Sequence, residues 1–396
     1  MATYTNAEKT KMEEEEFKRK VDGLGKDDLP TANIMVAGIT GTGKSTLLNA
    51  VFGAEVAATG KGRPVTEQID EYQSTDIPIH IWDTVGLELD SEKTKESINA
   101  IRETIAQKAE SKDQFDRVHA IWYCINSGSS RYQGAELDFI KNLHSIGVPF
   151  IIVLTQCIGD PDEINAFEKQ IRDLNTSMGM NDIEIVQVCA QDFKLRGFTI
   201  EAFGLDVLVD TTLKRLPDFI KGGFAAAQRV SKAQKRALCE DIIFDYVDVA
   251  QKGFWDKVPV INVFTTDKKI SKMFVKIGKL YNTTIPEEAI QNIIKELGGI
   301  DIENGFWGLL SPISKKYDQK VDALFKQKKS QGYNVQLDKL DKSERVPRMI
   351  AFYGYSFLDA MEQLWEDLTE EQLKNIDFVL DRLKGILKRK FQGKEK

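Results

Sequence analysis

Histidine and cysteine are scarce: the 396 residues hold three histidines (His80, His119, His144) and four cysteines (Cys124, Cys157, Cys189, Cys239). Three scattered imidazoles leave a His-based zinc centre or a catalytic triad little to build on. The cysteines lie far apart with no CxxC pair, and the first three fall at the ends of apolar, strand-like runs. That placement suits buried reduced thiols better than disulfides or metal ligands. No stretch approaches the roughly 18–20 apolar residues needed to cross a bilayer, and a run such as Val258–Phe264 is far too short. The opening MATYTNAEKTKMEEEEF is polar and acidic, the opposite of a signal peptide, so the expected compartment is the cytoplasm. A net charge of −7, from 61 acidic against 54 basic side chains, gives no general attraction for nucleic acid.

What is present reads as a folded protein with 42% hydrophobic and 29% charged residues, long enough for two domains. Residues 1–30 read as a charged helix, about Glu8 to Leu24, followed by the breaker GKDDLP. From Thr31 short apolar runs alternate with amphipathic helical stretches, the pattern of a mainly parallel sheet in a doubly wound α/β domain. The predicted strands are Asn33–Gly38, Gln68–Gln73, Ile77–Trp82, Val118–Ile125, Val148–Leu154 and Ile183–Val188. Helices are predicted around Ile98–Ile105 and Ile164–Met178, where apolar residues keep a three-four spacing. After Leu216-Pro217 the strands stop. Residues 218–396 read as an all-helical domain, with patterns over Val230–Val249, Ile270–Tyr281, Glu287–Leu297, Tyr355–Leu368 and Glu371–Lys390, and an exposed connection over Gln327–Arg345.

Gly38-Ile39-Thr40-Gly41-Thr42-Gly43-Lys44-Ser45 matches G-x-x-x-x-G-K-[ST] at every fixed position, after an apolar strand and before a helix-compatible run. Glycines there let the backbone curl so that its N–H groups face phosphates beside the positive end of a helix. Lys44 is placed to bridge the β- and γ-phosphates and the Ser45 hydroxyl to coordinate Mg²⁺. The candidate nucleotide contacts are Gly38, Thr40, Gly41, Thr42, Gly43, Lys44, Ser45 and Thr46. Trp82-Asp83-Thr84-Val85-Gly86 closes a later strand; Asp83 is a candidate for holding Mg²⁺, and the Gly86 N–H for approaching the γ-phosphate. Between the two lies the loop Thr59–Glu67, where Thr66 is the candidate for a second Mg²⁺ hydroxyl. Lys44, Thr66 and Gly86 are thus the catalytic candidates, and Ser45, Thr66 and Asp83 the metal candidates.

GITGTGKSTLLNAVFG, RPVT and WDTVGLELD resemble the first three G motifs of Era-like GTPases and their septin and immunity-related relatives. The likeness covers roughly residues 33–217, and FGLDVLVDTTLKRLP resembles the closing helix of bacterial members. Segments such as MFVKIGKLYNTTIPEEAIQNIIKELGG look similar to a helical domain that follows the G domain in some of them. The resemblance implies a P-loop G domain over 31–217 that binds GTP or GDP with Mg²⁺, and a nucleotide-linked homodimer in which Arg63 and Glu88 are candidates for contacts in trans. In the family, guanine is read by [NT]-K-x-D after the fifth strand. The corresponding segment is Thr155-Gln156-Cys157-Ile158, with Gln156 at the lysine and Ile158 at the aspartate. Asp160 substitutes for that aspartate if the loop bulges, or else caps the helix that begins at Pro161. Val188-Cys189-Ala190-Gln191 resembles the [ST]-A-[KL] loop near the base, so Thr155, Gln156 and Ala190 join the candidate nucleotide contacts.

The residue after the third motif is Leu87, where Ras-like enzymes carry a water-orienting glutamine. The expected activity is therefore slow, Mg²⁺-dependent GTP hydrolysis serving a nucleotide switch. The alternatives are an ATP-binding P-loop NTPase and a nucleotide-binding assembly module with negligible hydrolysis. The C-terminal helix has an apolar face (Val379, Leu380, Leu383, Ile386, Leu387) and a basic remainder. Its two readings are docking on its own domain and peripheral contact with an anionic membrane.

Overall fold

The computed structural model describes residues 29–53, 63–66, 69–73, 77–84, 93–109, 111, 113–129, 132, 134–195, 197–251, 263–296, 311–330 and 345–391. The predicted N-terminal helix and the greater part of Gln327–Arg345 lie outside these residues. The chain divides into two compact units, one spanning Leu29–Gln234 and another that takes in the residues from Lys235 onward.

Among the described residues of the first unit, seven strands form one sheet in the order β2-β3-β4-β1-β5-β6-β7. They are β1 (Ala32–Gly38), β2 (Arg63–Thr66), β3 (Ile69–Gln73), β4 (Ile79–Thr84), β5 (Ala120–Asn126), β6 (Phe150–Thr155) and β7 (Glu184–Gln187). β4, β1, β5, β6 and β7 run parallel, whereas β2 and β3 add an antiparallel edge. β1 (ANIMVAG) and β6 (FIIVLT) are buried along their whole length. Near-continuous apolar runs of this kind suit parallel strands covered on both faces.

Helices cover both faces, as a doubly wound sheet requires. On one face Met35, Ile121, Tyr123, Ile152 and Leu154 pack in a single core with Ile101 and Ile105 of α2 (Lys93–Ala109), Phe139, Ile140 and Leu143 of α3 (Gly134–His144), and Ile164, Phe167 and Ile171 of α4 (Pro161–Ser177). On the other face Trp122 stacks on Phe52 of α1 (Lys44–Phe52) at 5.8 Å between ring centroids. Its indole N–H donates to the Thr212 hydroxyl of α5 (Leu205–Arg215) at 3.1 Å.

Phe224 of α6 (Asp218–Ala227) meets Phe52 edge-on at 5.9 Å, so the helix after Leu216-Pro217 also packs on the sheet. It lies so close that a Cβ on Gly223 would come within 1.7 Å of the Pro30 carbonyl oxygen. Among the elements not expected from the sequence are an edge strand and a hairpin. Residues 63–66 pair as an edge strand, where Pro64 is tolerated because an edge leaves one side of the strand unpaired. A hairpin, β8 (Phe193–Leu195) with β9 (Phe198–Ile200), stands apart from the main sheet.

From Lys235 on, the described residues form helices and the short connections between them. α7 (Lys232–Gln251) runs into this unit, followed by α8 (Val263–Leu280), α9 (Glu287–Glu296), α10 (Ser311–Ser330), α11 (Arg345–Asp367), α12 (Glu370–Lys374) and α13 (Ile376–Phe391). Phe274 of α8 stacks on Phe357 of α11 at 4.1 Å. The Arg236 guanidinium reaches Glu362 at 2.5 Å and Asp359 at 3.2 Å, and Lys320 reaches Asp359 at 3.2 Å. Pairing of this kind is what makes largely buried charge tolerable. The predicted segment Glu371–Lys390 is two helices: Thr369 starts α12 with a capping box, and Asn375 breaks the helix and caps Phe378 N. Val379, Leu383, Ile386 and Leu387 of α13 are buried, so the apolar face of the basic helix is already covered. Among the described residues no helix is long and apolar enough to cross a membrane.

Candidate functional site

The site is built where β1 ends. Gly38 has φ +149°, and a Cβ there would lie 2.4 Å from the Cys124 carbonyl oxygen of β5. Only glycine lets the loop leave β1 pressed so closely against its neighbour. The chain then turns through Gly41 (φ 81°) and Gly43 (φ 86°), both left-handed, and enters α1 at Lys44. The N-cap position is Gly43, no side chain caps the helix, and its first turn holds no acidic residue. The helix therefore presents unpaired N–H donors and the positive end of its dipole to whatever lies in the loop.

Lys44 is buried, yet its Nζ arches back to donate to the Gly38 carbonyl at 3.0 Å. Thr42 is buried and its hydroxyl donates to Ile39 O at 2.9 Å, which holds the turn closed. Thr40, Gly41, Ser45 and Thr46 are exposed. Asp83, near the end of β4, sits in register with Val36 of β1 and Asp70 of β3. Its Oδ1 is buried without a hydrogen-bond partner. Burial pushes its carboxyl up to about 6 and Asp70 adds to the rise, while the Lys44 ammonium pulls in the opposite direction.

The buried Asp83 oxygen with no donor, near enough to Lys44 for the ammonium to act on it, and the exposed Ser45 hydroxyl at the start of α1 are hard-oxygen groups that fit Mg²⁺ better than a thiol- or imidazole-seeking metal. Among the described residues no group of three or more His, Cys, Asp or Glu is arranged for a metal. The fit is therefore to a cation that takes its remaining ligands from phosphate and water. Gly86, Leu87, Glu88 and most of the Thr59–Glu67 loop lie outside the described residues. Of Thr66 and Arg63 only the backbone, in β2, is described.

The end of β6 and the residue that follows it are committed to the phosphate loop. The buried Thr155 hydroxyl lies between two carbonyls, Thr42 O at 2.5 Å and Ile125 O at 3.1 Å. Gln156 adopts a left-handed backbone (φ 53°). Its amide donates to Gly41 O at 2.9 Å, and its own carbonyl accepts from the Ser127 hydroxyl at 2.8 Å. Ser127 went unnoticed in the sequence. It belongs to a 3₁₀ turn, Ser127–Ser129, that follows β5, and the turn-rich composition of NSGSS was its one visible sign.

Asp160 is the N-cap of α4: its Oδ1 accepts from Asp162 N at 2.8 Å, with Pro161 at the first helical position. Replacing it with alanine removes that cap and is expected to lower stability by about 1 kcal/mol, measured as a fall of a few degrees in Tm. Ala190 is half-buried beside Cys189, which forms an isolated antiparallel bridge with Phe203. Burial raises the thiols of Cys124, Cys157 and Cys189, as expected of reduced structural cysteines.

Residues 33–156 match the family described as 50S ribosome-binding GTPase. No curated protein sequence matches the chain. Among solved structures it is similar to a probable GTP-binding protein engB, at 16% identity and a TM-score of 0.33, over 48% of this chain and 99% of that one. It is also similar to Era of Aquifex aeolicus bound to GDP·AlF4−, at 17% identity and a TM-score of 0.33, over 56% of this chain and 68% of that one. The mixed, mainly parallel sheet with its helices is a P-loop GTPase G domain, and a helical region follows it.

Proposed function

We propose that the chain binds GTP with Mg²⁺ at the Gly38–Thr46 loop, hydrolyses it slowly, and uses the bound nucleotide as a switch. One observation carries this reading. A buried lysine and a carboxylate oxygen without a donor accompany a helix start that offers uncapped N–H groups, and this is the complement of a polyphosphate and its cation. In the reading, amides of residues 41–46 donate to phosphate oxygens. The Lys44 ammonium leaves the Gly38 carbonyl for the phosphates, and Ser45 and Asp83 hold Mg²⁺. The bound ion would neutralise charge that develops on the phosphates. Thr155 and Gln156 act from behind, holding the carbonyls of Thr42 and Gly41 so that the loop amides keep facing inward. Thr66 and Gly86 retain their proposed roles of closing on the γ-phosphate.

Slow turnover is read from Leu87, which has no group able to orient water. Single-turnover phosphate release should be Mg²⁺-dependent and far slower than binding. A release rate that keeps pace with binding would remove the slow-hydrolysis part of the reading. A homodimer across the nucleotide face rests on the family resemblance. Light scattering with a non-hydrolysable GTP analogue should give twice the mass found with GDP, and equal masses would remove the dimer. Peripheral membrane contact through α13 has no place in this reading, because its apolar face is buried.

A further inference from the structure

We propose that this site takes purine nucleoside triphosphates with little regard to the base, ATP as well as GTP, and holds them by their phosphates. The inference rests on the phosphate-site reading above and concerns the other end of the same ligand. In a parallel α/β sheet the ligand lies across the carboxyl ends of the strands. The carboxyl end of β1 holds the phosphate loop, and β5, β6 and β7 follow it in order on one side. Thr155 and Gln156 touch the loop carbonyls directly. The nucleoside of a ligand seated on the loop thus reaches the segments 155–160 and 188–192.

Guanine differs from adenine by presenting two adjacent donors, N1–H and the 2-amino group. Reading them firmly takes a carboxylate with both oxygens turned to that edge. Both carboxylates of these segments have other tasks. Asp160 turns Oδ1 into the start of α4, onto Asp162 N at 2.8 Å. Asp192 turns Oδ1 onto Ala202 N at 2.9 Å, tying the base of the β8–β9 hairpin. The Thr155 hydroxyl and the Gln156 amide are spent on the phosphate loop. Ile158 is apolar and half-buried. Gln191 is exposed, and its neutral amide pairs with either purine. A site built to hydrogen-bond one partner rejects the analogue lacking that group by about 10⁴–10⁵-fold, whereas one without such groups discriminates by roughly 10²-fold at most.

The test is competition between GTP, ATP and ITP for the intact chain with Mg²⁺, repeated on Ile158→Asp and Asp160→Ala. The expected result is Kd values for GTP and ATP within about tenfold in the unsubstituted chain, and the same ratio in Asp160→Ala. Ile158→Asp should move the ratio at least about tenfold toward GTP. ITP lacks the 2-amino group and needs no variant, and it should bind as well as GTP. A preference for GTP over ATP beyond about 100-fold, or rejection of ITP, would overturn the inference and leave the phosphate site standing. Failure of all three triphosphates to bind would overturn the phosphate-site reading and this inference with it.

Discussion

Lys44→Ala is expected to weaken Mg²⁺-dependent GTP binding by at least about 100-fold while the protein stays folded. The ammonium is buried and already positioned, arched over the loop onto Gly38 O at 3.0 Å. Binding therefore exchanges one acceptor for others at little cost in side-chain entropy. A charge-assisted hydrogen bond is worth about 1.5–3 kcal/mol, and each 1.4 kcal/mol is tenfold in affinity. Two contacts to phosphate oxygens thus account for two or more decades. The structural cost is smaller: the Gly38 carbonyl loses a donor, worth about 1 kcal/mol. Titration with a fluorescent GTP analogue, alongside thermal melting of the ligand-free protein, separates the two effects. An affinity within threefold of the unsubstituted chain would sink the phosphate-site reading. Loss of binding accompanied by a collapse in Tm would count as unfolding instead.

Asp83→Asn should act in opposite directions on stability and on binding. The folded carboxyl titrates at about 6 against an ordinary 3.8, chiefly because it is buried. Between those values the folded protein keeps a proton that the unfolded chain releases. Ligand-free stability therefore falls as pH rises through that window and levels off above it. A difference of about two pH units corresponds to a cost on the order of 3 kcal/mol at neutral pH. Asparagine carries no charge, so the variant should lose this slope and be the more stable protein at pH 7.5. It should also lose most of the benefit that Mg²⁺ confers on nucleotide binding. Denaturant unfolding at pH 4.5 and 7.5, without nucleotide, measures the first effect, and GTP titration with and without Mg²⁺ the second. Identical pH slopes for the two proteins would mean that Asp83 is not the strained carboxylate described.

The features legible in the sequence are those whose physics is local. The phosphate loop could be read because its glycines, Lys44 and Ser45 act on a backbone bend a few residues long. The start of α4 could be read because Asp160 satisfies, and Pro161 tolerates, the first N–H groups of their own helix. The strands of the parallel sheet showed themselves as continuous apolar runs, since a strand covered on both faces has no polar side to alternate with.

Elsewhere the deciding contacts join residues far apart in the chain. Nothing near Thr155 or Gln156 announces that their side chains will hold carbonyls 113 and 115 positions away. The sequence left two roles open for Asp160, and the folded loop sets it at the head of α4 as its cap. The raised carboxyl of Asp83 comes from burial and from Asp70 across the antiparallel edge. The hairpin β8–β9 and the edge strand β2 are only three or four residues long, too short for periodicity to reveal and stable only through the pairing that folding supplies. Nothing local to α6 announces that Phe224 would find Phe52 and Trp122. The sequence by itself determined the strands of the parallel sheet and the chemistry of the loop, because both follow from neighbouring residues. The tertiary structure alone decided which groups remain free to meet a ligand, because burial and hydrogen-bond partners are properties of the packed molecule.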